Sequence, residues 1–184
     1  MQEEFFKNKR VVKMHLYVKL TRLAIEEYIK KNKRMETPSN LPEELSQKRR
    51  GVFVTLYKNG RLRGCMGTVV SSKKNLAEEI IDNAILACSR DPRFNFVTKE
   101  ELKELNCEVS IIHPPERLEN LEDHDPRRQG IIVKSFNGRS GLLLPDLEGV
   151  DSTKKQIEIA AEKGGINPYS EEVQLFEFEV EKYV

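Results

Sequence analysis

The segment between residues 12 and 31 has apolar side chains at intervals of three and four positions, as at Leu16, Leu20 and Leu23. This spacing places them along one face of an α-helix. We therefore predict an amphipathic helix over residues 12–31 that packs against a sheet.

The pattern changes at residues 52–57, where β-branched and aromatic side chains favour a strand. Asn59-Gly60 follows, and this dipeptide is preferred in the two-residue type I′ turn that joins antiparallel strands. Residues 61–70 can then return as the partner strand. The sequence predicts a β-hairpin here.

Helix signals return after the hairpin. Asn75 is a favourable N-cap residue, with Glu78 three positions later, and apolar residues follow on one helical stripe. Asp91-Pro92 ends this helix, and residues 107–112 predict a further strand.

A second copy of the hairpin is predicted from Gly130 onwards. GVFVTLYKNGRLRG aligns with GIIVKSFNGRSG if two one-residue gaps are allowed, and a helix start and a returning strand follow each copy. A lone hairpin with one helix buries too little surface to be stable. We therefore predict one α+β domain over residues 1–184, with a fused, barrel-like sheet and pseudo-repeats at about 51–113 and 130–184.

Composition and charge narrow the function classes. Hydrophobic residues make up 38% of the 184 positions, which is too many for a disordered chain. Lysine and arginine total 31 against 30 acidic residues, so the chain has no overall basic field to hold nucleic acid. Binding of a nucleotide or RNA is the weaker alternative, and it would depend on a local group of arginines: Arg49, Arg50, Arg61 and Arg63.

The expected compartment is the cytoplasm. No apolar run approaches the roughly 20 residues of a membrane helix, and MQEEFFKNKR has no apolar signal-peptide core. Cys65, Cys88 and Cys107 lie far apart without a C-x-x-C pair, which argues against a disulfide framework or a zinc knuckle. Three scattered histidines do not indicate a metal site, so we expect neither a metal nor another cofactor.

Candidate chemistry lies where the two hairpin copies differ. Side chains alternate along a strand, so Arg63 and Cys65 should share a face, and Gly67 should leave space above it. A guanidinium beside a thiol favours the thiolate, which makes Cys65 a candidate nucleophile or redox thiol with Arg63 as its partner. Packing is the alternative, because Leu142 occupies the equivalent place in the second copy. Gly64 has a counterpart in that copy and fits a bulge or a close approach of two backbones.

Three further polar residues could take part in chemistry at this site. Arg93 could clamp an anion or form an ion pair with Asp91. His113 and His124 could serve Cys65 as a base only if the fold brings either of them near the thiol.

The hexapeptide Leu62-Arg63-Gly64-Cys65-Met66-Gly67, together with Asp91-Pro92-Arg93-Phe94 and Gly141-Leu142-Leu143-Leu144-Pro145, resembles the AMMECR-domain family. The likeness covers nearly the whole chain. Met66 stands where isoleucine is usual, and His113 stands where a small hydroxyl residue is common. The resemblance implies an α+β fold with a curved, largely antiparallel sheet and duplicated halves.

The resemblance also implies a pathway shared with Memo-like proteins and radical S-adenosylmethionine enzymes, so one of these is a possible protein partner. Two functions follow as hypotheses. The first is an enzyme or enzyme component that uses Cys65 with Arg63, with Gly64, Gly67, Arg93 and His113 as candidate ligand-binding residues. The second is a non-catalytic binding or scaffold module for a protein partner.

Overall fold

Residues 14–184 are described by the computed structural model, which contains seven strands and four α-helices in this range. The strands are β1 (Gly51–Lys58), β2 (Arg61–Thr68), β3 (Leu105–Ile112), β4 (Glu116–Arg117), β5 (Gln129–Ser135), β6 (Ser140–Leu143) and β7 (Val173–Tyr183). The helices are α1 (Leu16–Lys31), α2 (Glu43–Ser46), α3 (Leu76–Ser89) and α4 (Thr153–Lys163). Two 3₁₀ turns lie at Glu100–Lys103 and Leu121–Asp123.

The strands form one antiparallel sheet in the order β2-β1-β3-β7-β5-β6, with β4 beside β7. The sheet curls into a half-barrel, so its two edge strands, β2 and β6, come from opposite halves of the chain. The α+β class and the curved, largely antiparallel sheet predicted from the sequence are confirmed.

Helix α1 begins later than the sequence pattern predicts. His15 is its N-cap, with the ring Nδ1 accepting a hydrogen bond from the backbone N–H of Tyr17 at 3.3 Å, while residues 12 and 13 lie outside the described part. Asn32 ends the helix with a left-handed backbone (φ 52°). Leu23 is exposed although it fits the apolar period, because the helix buries only the face that packs on α3 and β3.

The first hairpin forms where the sequence places it. Asn59 and Gly60 both have positive φ (52° and 74°), as a type I′ turn requires. The returning strand stops at Thr68, two residues before the predicted end. Helix α3 then starts at the predicted cap, with the Asn75 Oδ1 accepting from the backbone N–H of Glu78 at 2.9 Å.

Alternation along the strands divides the apolar side chains between two faces of the sheet. Val52 and Val54 point into a core covered by α1 and α3, and Ile131 points into a second core under α4. Phe53 and Ile132 point the other way, into a smaller apolar cluster on the face that these helices do not cover. That face is where the cleft described below opens.

A buried glycine lies under the helix that follows each hairpin. A Cβ atom on Gly64 would overlap the carbonyl oxygen of Ala87 in α3, and one on Gly141 would overlap that of Ala160 in α4. The strands can approach the helices this closely only without a side chain. The shared arrangement supports the duplication inferred from the sequence, which we retain as a proposal.

Candidate functional site

A cleft of about 840 Å³ opens on the helix-free face between the two edges of the half-barrel. Cys65 and Gly67 line it from the first half of the chain, and Lys134 and Leu142 line it from the second. The curl of the sheet therefore brings together residues from the two hairpins, which are distant from each other in the sequence.

Cys65 presents its thiol to this cleft from β2. It pairs with Thr55 across the β1–β2 ladder, and the Thr55 Oγ1 lies 3.3 Å from the Cys65 Sγ. Cys88 and Cys107 differ, because both are buried in the core and desolvation raises their pKa values to about 12 and about 11. Of the three cysteines, Cys65 alone lines the cleft and is partly exposed.

Arg63 is not the partner of this thiol, which corrects the expectation from strand alternation. Leu56 pairs with Gly64 and Tyr57 with Leu62, so Arg63 is the extra residue of a β-bulge and the alternation breaks there. Its guanidinium binds both carboxylate oxygens of Glu101 at 2.9 Å. It also donates to the backbone carbonyls of residues 95 and 96. Arg63 therefore anchors the segment after α3 to the hairpin.

Arg93 is the guanidinium that lies beside Cys65. Its Nε and Nη2 donate to Asp91 at 2.9 and 2.7 Å, and Nη2 also donates to the Cys65 carbonyl at 3.4 Å. The hydrogen bond to Asp91, followed by the charge of Asp91 and the contact with Cys65, raises the pKa of Arg93. Both readings of Arg93 therefore fit its position, since it pairs with Asp91 and also lines the cleft.

Asp91 holds the edge of β2 at the thiol. Its Oδ2 accepts from the backbone N–H of Cys65 at 2.8 Å, and its side chain is only 2% exposed. The hydrogen bond from Arg93, with the backbone bonds from Cys65 and Arg93, holds the pKa of Asp91 well below its usual range. From the sequence, Asp91 is predicted to end α3 and is a possible ion-pair partner of Arg93, whereas its hydrogen bond to Cys65 on β2 depends on tertiary structure.

The two candidate glycines have different surroundings. Gly64 packs against α3, and it is not one of the described residues that line the cleft. Gly67 does line the cleft, but a Cβ there would overlap the ring of Phe53, which covers it. Gly67 thus makes room for the Phe53 ring, which forms part of the cleft wall.

Neither candidate histidine reaches Cys65. His113 lies at a separate depression with Glu177 and Glu179, and its Nε2 lies 2.8 Å from Glu181. His124 is fully buried, with Nδ1 2.9 Å from Glu177 and Nε2 2.6 Å from Gln156. His124 therefore links β7 to α4, and neither ring is placed to take a proton from the thiol.

Two lysines that no sequence motif singles out complete the cleft. Lys134 projects from β5 with its Nζ 4.6 Å from the centroid of the Phe176 ring, and Lys163 is the last residue of α4. With Arg93 they give the described lining three cations and no carboxylate. Strand alternation could have placed Lys134 on the same face as Ile132, but nothing in the sequence placed that face opposite Cys65.

Residues 14–184 contain neither a cluster of metal ligands nor a membrane-spanning helix. Within this range, histidine, cysteine and acidic side chains form no group of three or more arranged to hold a metal ion. None of the helices described there has the length and apolar character needed to cross a membrane.

The fold and site together define an α+β half-barrel with a thiol in a cleft between its two edges. The chain belongs to the AMMECR1 family, whose model matches residues 18–183. A Thermotoga maritima protein is 45% identical over 170 residues, which cover 92% of this chain and 97% of the relative. A Clostridium acetobutylicum protein is 43% identical over 156 residues, covering 84% of this chain but 33% of that longer protein. The crystal structure of PH0010 from Pyrococcus horikoshii is similar, with a TM-score of 0.78, 35% identity and coverage of 90% of this chain and 88% of that one.

Proposed function

We propose that the chain is an enzyme or enzyme component that uses the Cys65 thiol on a ligand bound in the cleft. One observation carries this proposal: Cys65 is partly exposed and lines the cleft, whereas Cys88 and Cys107 are buried in the core. A nucleophile must be accessible to its substrate, and this thiol meets that condition.

The surroundings of Cys65 suit such a role. Arg93, rather than Arg63, is the guanidinium beside Cys65, and its Nη2 donates to the Cys65 carbonyl oxygen at 3.4 Å, which helps to fix the backbone that presents the thiol. The Thr55 hydroxyl lies within hydrogen-bond distance of the sulfur and can orient it. Asp91 fixes both the backbone of Cys65 and the guanidinium of Arg93. The thiol is therefore held between groups that are themselves immobilised.

Alkylation of the native protein tests the proposal. With iodoacetamide at pH 7.5 and peptide mapping by mass spectrometry, we expect Cys65 to react at least about tenfold faster than Cys88 and Cys107, because the latter two are buried. Arg93→Gln should slow Cys65 several-fold, while Arg61→Gln, an exposed cation in the same strand, should leave its rate unchanged. If Cys65 reacts only when the protein unfolds, along with the two buried cysteines, the thiol is a packing residue and the proposal fails.

A binding module is the second candidate, and the rim of the cleft favours it. Val70 is 71% exposed and Leu147 is 40% exposed, and both line the cleft opening. Exposed apolar groups beside a concave surface are typical of contact sites. A Memo-like protein or a radical S-adenosylmethionine enzyme, which the family resemblance implies, remains a proposal for the partner. Under this alternative, Cys65→Ser would leave binding of the partner protein intact. Under the enzyme proposal, the same substitution would abolish enzymatic activity.

A further inference from the structure

The cleft that carries Cys65 has a second chemical feature, because its far wall is positively charged without a compensating carboxylate. Lys134 and Lys163 are exposed, and neither forms an ion pair with any residue in the range 14–184. Arg93 differs, since its charge is already balanced by Asp91. The excess positive charge therefore lies on the β5 and α4 side of the cleft, across from the thiol.

The ring of Phe176 keeps Lys134 in the cleft. The ammonium nitrogen lies 4.6 Å from the ring centroid, within the range of a cation–π contact. Such a contact orients the side chain and leaves the ammonium protons that point away from the ring free to bind an anion. Lys163 comes from a separate element, so two independent cations face the same space.

Much of the remaining lining of the cleft is apolar. Phe53, Ile132, Leu142 and Leu144 belong to one hydrophobic cluster, and all four line the cleft. A bare inorganic anion would leave this surface in contact with water. The volume of about 840 Å³ falls in the range of roughly 300–1,000 Å³ that is typical of small-molecule sites.

We propose that the cleft binds a small organic anion, with a phosphate or carboxylate held by Lys134 and Lys163 and an apolar body against the Ile132–Leu142 wall. The inference rests on the proposed use of this cleft and names its substrate class. A ligand held in this way extends from the lysines toward Cys65. The charged group would then be an anchor, and the other end of the molecule would meet the thiol.

A fluorescent probe with the same chemistry tests the site. The probe 8-anilinonaphthalene-1-sulfonate has an apolar body and a fixed negative charge, and its emission rises in an apolar site. We expect saturable binding to the full folded chain at one site, with Kd raised at least about tenfold, or about 1.4 kcal/mol, by the double variant Lys134→Gln/Lys163→Gln. Binding should also weaken as salt is raised.

The matched control removes two positive charges, as the first double variant does, but from lysines outside the cleft. Lys154 and Lys155 are exposed at the start of α4, and neither lines the cleft. The variant Lys154→Gln/Lys155→Gln should bind the probe within about twofold of the parent chain. If the two double variants weaken binding equally, the effect is one of net charge and the proposed site is wrong.

Competition with the probe distinguishes a phosphate from a carboxylate head group and tests whether the negative charge contributes to binding. Phenyl phosphate and phenylacetate should displace the probe, whereas benzyl alcohol and inorganic phosphate at the same concentration should not. The stronger of the first two competitors identifies the preferred anion. Displacement by benzyl alcohol equal to that by phenylacetate would overturn the proposal, because the anion would then contribute nothing.

The outcome for the anion site is independent of the outcome for the thiol. Cys65→Ser should bind the probe like the parent chain, because the sulfur is not part of the anchor. If Cys65 is inert toward iodoacetamide but the lysine-dependent binding is observed, the thiol proposal fails and the anion site stands. If Cys65 is reactive but the lysine double variant binds the probe normally, the anion site fails and the thiol proposal stands.

Discussion

Replacing Gly141 with alanine is expected to destabilise the fold by about 4 kcal/mol, one of the largest effects that a single methyl group could have in this chain. The new Cβ would overlap the carbonyl oxygen of Ala160 and lie 2.6 Å from the backbone nitrogen of Gly164. Both are backbone atoms at the end of α4, so no side-chain rotation can relieve the clash. The helix would have to move away from β6 and expose the core beneath it.

Gly138 provides the matched control in the same hairpin. It has a positive φ of 88°, but an added Cβ meets open space, so Gly138→Ala should cost only about 1 kcal/mol of backbone strain. Urea unfolding followed by circular dichroism measures both variants. Equal losses at the two positions would show that backbone conformation, rather than the close approach to α4, limits the hairpin.

The same comparison in the first hairpin tests the proposed duplication. Gly64 lies against α3 as Gly141 lies against α4, and Gly60 is the turn glycine with open space around it. We expect Gly64→Ala to cost several times as much as Gly60→Ala. A duplicated architecture predicts this pattern in both hairpins, because each close approach would serve the same contact between strand and helix.

Local signals were enough to predict the hairpin and the start of α3. The Asn59-Gly60 turn and the Asn75 cap depend on residues within a few positions of one another, and both form as predicted. Strand alternation predicted the direction of side chains less reliably, because it assumes an unbroken register. At Arg63 a bulge breaks that register, and the guanidinium turns to Glu101 instead of the thiol.

The remainder of the site depends on how the sheet curls. Arg93 reaches Cys65 from beyond the end of α3, and Lys134 and Lys163 face the thiol only because β2 and β6 are the two edges of one half-barrel. No spacing of residues in the sequence predicts that these side chains lie near the thiol. The cleft is thus a product of the contact between the two halves, which explains why neither hairpin alone indicated it.

Asp91→Asn is expected to reduce stability by about 3 kcal/mol at pH 7, because the change removes a buried charge that pairs with a guanidinium and accepts two backbone N–H groups. The folded-state pKa of Asp91 lies below the value of about 3.9 for an unfolded chain, so its contribution is present above pH 4 and is lost as the pH falls. The difference between Asp91→Asn and the parent chain should therefore narrow below pH 4.

Glu101→Gln is the matched control for this acid dependence. The hydrogen bond from Arg63 lowers the pKa of Glu101 to about 2, so this variant should also lose acid-labile stability, measured by urea unfolding between pH 7 and pH 2.5. Only Asp91→Asn should slow the alkylation of Cys65, because Asp91 alone of the two carboxylates holds Arg93 at the thiol. If both variants, or neither, change the Cys65 rate, Asp91 stabilises the fold without positioning the site.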